Sequence, residues 1–121
     1  MKLEVGMFVR FKDKRGIEYI RKITSVNTTY PDKLYAGIYI DKEANNSNGV
    51  SLKNIIKVSY NIIDILEVGD YVNGVEVINI NDEWITMSDM QVPILKSIAN
   101  GMIETIVTKE QMEKMEYKVG E

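Results

Sequence analysis

The eight residues LEVGMFVR, beginning at Leu3, return as LEVGDYVN, beginning at Leu66. In both copies a glycine stands just before an alternating run. Glycine reaches backbone conformations closed to other residues, so it lets a chain bend sharply into a curved strand. Such a phrase, written at the head of each half, predicts one small β-unit built twice. A chain of 121 residues suffices for one ordinary domain or two very small ones. The placing of the phrase favours two, residues 1–61 and residues 62–121.

Each half reads as about five short strands. In the first, Val5, Met7, Val9 and Phe11 alternate with Gly6, Phe8, Arg10 and Lys12, so one set faces inward and the other outward. KDKRG is a polar turn closing on Gly16, and IEYIRKITSV resumes strand character. LYAGIYID alternates Leu34, Ala36, Ile38 and Ile40 with Tyr35, Gly37 and Tyr39, and VSLKNIIKVS closes the half with a turn near Lys53-Asn54. In the second half Asn73-Gly74 is a strong hairpin signal between DYV and VEVINI. NDE turns into WITMS; Pro93 then leaves room only for an edge strand near Ile94-Leu95 or a helical turn. Thr108 and Gln111 have capping-box spacing ahead of a short helix with Met112, Met115 and Val119 inward. Units of this size with five short strands predict a mainly β fold: two tandem SH3-like small β-barrels with a short C-terminal helix. The apolar NIIDI between them, free of Gly and Ser, predicts that they pack together.

Catalytic chemistry is poorly provided for. Histidine and cysteine are both absent, which removes the commonest general base, the thiolate nucleophile and the commonest zinc ligands. Ser47 and Ser51 read as turn formers, and DKEANNSNG lacks the acid spacing of a calcium loop. No glycine-rich phosphate loop is present. We expect no enzyme, no metal and no cofactor. No apolar run approaches the roughly 20 residues of a membrane span, and a cytoplasmic location is expected.

Charge is what distinguishes the halves. Residues 1–61 carry eleven Lys/Arg against six Asp/Glu, a net of +5; residues 62–121 carry four against twelve, a net of −8; together they make the −3 of the chain. In the first half Arg10, Lys12, Arg15 and Arg21 fall on one hairpin and Tyr35 and Tyr39 on an outward face. Cations interleaved with aromatics suit single-stranded nucleic acid, whose phosphates pair with charge and whose bases stack on rings. In the second half Asp70, Glu76, Asp82, Glu83 and Asp89 crowd a short region, continued by Glu110, Glu113 and Glu116. A dense acidic surface can imitate phosphate spacing and occupy a basic channel on another protein.

Over residues 58–121, through Gly69–Gly74 (GDYVNG) and Val107–Gln111 (VTKEQ), the chain resembles a loose family of small phage- and prophage-encoded proteins of Clostridium-like Firmicutes. That family has no established activity, so it lends no catalytic residue. The resemblance implies an accessory protein of a mobile element acting in the bacterial host cell, a class in which anti-defence and anti-CRISPR inhibitors are frequent. The expected function is therefore non-catalytic binding: an inhibitor occupying the nucleic-acid site of a host protein. The alternatives are direct RNA or DNA binding by the basic hairpin, or a structural or assembly role in the virion.

Overall fold

The computed structural model describes residues 3–27, 37–40 and 49–115, with side chains undescribed at Asn27, 37–40, Gly49 and Met115. Tyr35, Ser47, Glu116, Val119 and most of the calcium-like loop lie outside the described residues. The chain divides into two compact units, Met1–Ile65 and Leu66–Glu121.

Unit 1 contains β1 (Phe8–Lys12), β2 (Glu18–Asn27), β3 (Gly37–Ile40), β4 (Gly49–Ser51), a 3-10 turn at Leu52–Asn54, β5 (Ile55–Ser59) and a second 3-10 turn at Ile62–Ile65. Unit 2 contains β6 (Tyr71–Val72), β7 (Val75–Ile80), β8 (Trp84–Met87), β9 (Ile94–Leu95), helix α1 (Lys96–Asn100), β10 (Ile106–Val107) and helix α2 (Lys109–Met115). The fold is mainly β, with each unit built on one antiparallel five-stranded sheet. The sheet orders are β4-β3-β2-β1-β5 and β9-β8-β7-β6-β10. These are the same order: a meander of four strands whose first strand also pairs with the fifth, after a short helical segment.

The repeated phrase has the same structure in both places. Gly6 and Gly69 take φ of +94° and +100°, and the turn closes through Met7 N–H to Glu4 O (3.2 Å) and Asp70 N–H to Glu67 O (3.1 Å). Gly6 N–H then donates to Ile23 O (3.0 Å) and Gly69 N–H to Val77 O (2.9 Å); Ile23 N–H returns to Met7 O and Val77 N–H to Asp70 O, both 2.8 Å. Just beyond each anchor the register shifts, between Ile23 and Ser25 and between Val77 and Asn79, where an extra residue bends the strand onto its next neighbour. Local chemistry dictates this much: only glycine is comfortable at that φ.

The core of unit 1 is Val9, Phe11, Ile17, Tyr19, Ile23 and Val50, with Phe11 and Tyr19 stacked at 5.8 Å. In unit 2, Leu66, Val72, Val77, Ile85 and Met87 are buried. Asn73 (φ +51°) and Gly74 (φ +81°) form the tight β6–β7 turn, both left-handed as a type I′ hairpin requires. Ile94-Leu95 is an edge strand beside β8, and SIAN is helical. Thr108 and Gln111 form the capping box: Gln111 N–H donates to Thr108 Oγ1 (3.2 Å) and Thr108 N–H to Gln111 Oε1 (3.1 Å).

Candidate docking surfaces

The cations of unit 1 divide into those the fold uses and those it leaves out. Arg10 does not face solvent as its alternating position implies; it is 1 % exposed. Its Nε donates to Glu18 and its Nη1 to Ile65 O at 3.3 Å. The reason is the 3-10 turn Ile62–Ile65, whose Ile63 and Ile65 are buried: the chain comes back after β5 and covers the face of β1 that a single strand would leave wet. Arg21 is half-buried, its Nη1 donating to Ile20 O (2.8 Å) and its guanidinium lying 5.5 Å from the Tyr19 ring centre. Arg15 is exposed but folded onto Asp13 and the Tyr19 hydroxyl, each 3.0 Å away. Asp13 organises that turn. Burial pushes its carboxyl up, but N–H donation from Ile17, the Arg15 guanidinium and N–H donation from Arg15 together hold it below its ordinary value. Lys12, Lys14 and Lys22 remain exposed, Lys22 with its ammonium 6.0 Å from the Phe8 ring centre. Tyr39 lies in β3 opposite Ser25, with its side chain outside the described set. The hairpin is thus less open to phosphates than its composition implies.

The acids of unit 2 divide the other way. Asp70 is fully buried, Oδ2 accepting from Glu67 N–H (2.8 Å) and Oδ1 from Lys109 N–H (3.2 Å). It ties the Leu66–Gly69 turn to the start of α2 and is no surface charge. A sequence window cannot show this, because one of its partners lies far along the chain. Glu76 is half-buried on β7 opposite Tyr71. Asp82, Glu83 and Asp89 are exposed, and among the described residues their side chains have no hydrogen bond or ion pair.

Composition and charge give no sign of an open apolar groove in unit 2, lined by Trp84, Met90, Val92, Pro93, Leu95 and Ile98 among others. Glu83 immediately precedes Trp84, and Asp89 immediately precedes Met90. The signal present in the sequence is slight: the chain's single Trp, next to two acids, and the apolar Met90, Val92 and Pro93 in the loop that follows its strand. An aromatic and aliphatic patch with exposed acids close by in the chain has the make-up of a protein-docking surface. Among the described residues no group of three Asp/Glu could hold a metal ion. No helix there is long and apolar enough to cross a membrane.

No family model, curated protein or solved structure matches the chain.

Proposed function

We propose that the chain is a non-catalytic binding protein that docks through unit 2 on a basic, nucleic-acid-binding surface of another protein. In its cellular setting this is a phage- or prophage-encoded inhibitor of a host defence nuclease of the CRISPR type. One observation carries the reading: the exposed carboxylates of Asp82, Glu83 and Asp89 have no partner among the described residues, whereas Arg10, Arg15 and Arg21 are engaged within unit 1. Free surface charge steers association; charge already satisfied inside a unit does not. Each unit is read as a small SH3-like barrel, supported by the shared sheet order and by the short helical segment ahead of its last strand. Such barrels serve as binding scaffolds, and function rests on the site rather than the fold.

The test is a DNA-loading assay on an RNA-guided host nuclease. The full chain blocks loading, and the triple variant Asp82→Lys, Glu83→Lys, Asp89→Lys loses the block by more than about tenfold while keeping its circular dichroism. Equal inhibition by the triple variant sinks the reading. The second reading, direct nucleic-acid binding, is favoured by exposed Lys12, Lys14 and Lys22, the last with its ammonium near the Phe8 ring. A salt-sensitive gel shift of single-stranded RNA or DNA by the chain alone would replace the first reading with it.

A further inference from the structure

The groove of unit 2 has a shape of its own, beyond the charges around it. We infer that it receives an apolar side chain carried on a Lys/Arg-flanked segment of the partner protein. This rests on the docking reading above and specifies what the partner presents.

Trp84 is 40 %, Val92 71 % and Ile98 54 % exposed. Large apolar groups exposed singly are ordinary; these three come from a strand, a loop and a helix and line the same groove. Its walls are held by backbone pairing. Trp84 and Leu95 are cross-strand partners, and α1, which carries Ile98, is tied back by Lys96 N–H donating to Glu83 O at 2.8 Å. A groove fixed in this way needs little reordering to accept a ligand, which favours binding.

The occupant is not an added strand. β9 has two residues, is preceded by Pro93, which has no N–H, and runs directly into α1. That leaves too little free backbone for a strand to pair with. Recognition must come from side chains. The groove asks for an apolar one, and the exposed acids next to it in the chain ask for cations: Glu83 and Asp89 directly precede the lining residues Trp84 and Met90, with Asp82 one residue further back, against a single half-buried Lys96. A purely basic tract would leave the groove empty, and a purely apolar one would leave the three carboxylates unanswered.

The experiment selects ligands for the full chain from a displayed random-peptide library. Selected peptides free of Trp are then titrated while the emission of Trp84, the chain's single Trp, is monitored. The expected peptides carry a Leu, Met or Phe between Lys/Arg residues and shift Trp84 emission. Ile98→Glu weakens them about tenfold or more, as does Ala at the peptide's apolar position. Ile98 is exposed, so that variant keeps its fold, checked by an unchanged thermal melt. Failure to select any peptide overturns the inference. So does selection of peptides without an apolar residue whose binding ignores Ile98→Glu but is lost on Asp82→Lys, Glu83→Lys; in that case the docking reading survives alone. Peptides that fill the groove without any Lys/Arg overturn both. Self-association in sedimentation, abolished by Ile98→Glu, assigns the groove to a second copy of the chain and overturns the inference as well.

Discussion

A guanidinium sealed inside a small unit is tolerable only while all its partners stay in place. Arg10 meets that condition through Glu18 and the Ile65 carbonyl. Removing one member of such a pair leaves a buried charge uncompensated, at about 3–5 kcal/mol, whereas replacing both by apolar groups is close to neutral. Arg10→Ala should therefore lower stability in urea denaturation by an amount in that range, and Arg10→Met with Glu18→Leu should recover most of it. A double variant no more stable than the single one would contradict the pairing. Asp13 supplies a pH-dependent contribution of the opposite charge type. Its folded carboxyl titrates below the ordinary 3.8, so the stability it contributes is complete above that value and is lost as pH falls through the lower folded one. In acid titrations, wild type and Asp13→Asn should differ by a constant amount near neutral pH and converge below about pH 4. A gap that widens in acid would refute this.

At the level of elements, the unit of design is the glycine turn with its anchor on the next strand. Any residue but glycine at φ near +100° costs about 1–2 kcal/mol. Gly6→Ala and Gly69→Ala should both lose about that much in chemical denaturation. The two sites then differ in their surroundings. A Cβ at Gly6 meets nothing within 4 Å, whereas one at Gly69 falls 2.9 Å from Lys109 Cδ. That neighbour is the stem of a flexible side chain, so it can move at modest cost. Lys109→Ala should accordingly rescue part of the Gly69→Ala loss and none of the Gly6→Ala loss. Equal rescue at both positions would show the close approach to be irrelevant. The residue after each glycine makes the same turn end differently in the two units: Met7 packs against the core of unit 1, while Asp70 is drawn under the start of α2.

On the scale of the whole molecule, a net charge of −3 conceals halves of opposite sign: Asp82, Glu83 and Asp89 of unit 2 are exposed and unpaired among the described residues, whereas Arg10, Arg15 and Arg21 of unit 1 are engaged and its other exposed cations are lysines. Steering by exposed carboxylates acts on encounter, not on the lifetime of the docked state. The association rate with a basic partner should fall steeply between low and physiological ionic strength while the dissociation rate changes little, measured by surface-immobilised kinetics. A rate indifferent to salt would argue that the apolar groove alone directs docking.

The sequence by itself determined the features whose causes lie within a few residues: the doubled glycine turn, the Asn73-Gly74 hairpin, the edge strand marked off by Pro93 and the Thr108–Gln111 capping box. Each arises from backbone preference or short-range hydrogen bonding, and the residues responsible stand close together in the chain. Only the tertiary structure decided which charges reach solvent and where an apolar ligand could sit. Arg10 is buried by a turn more than fifty residues downstream, Asp70 is held by Lys109 of a later helix, and Trp84 meets Leu95 only through strand pairing. Burial is a property of what covers a residue, and the covering segments here arrive from far along the chain.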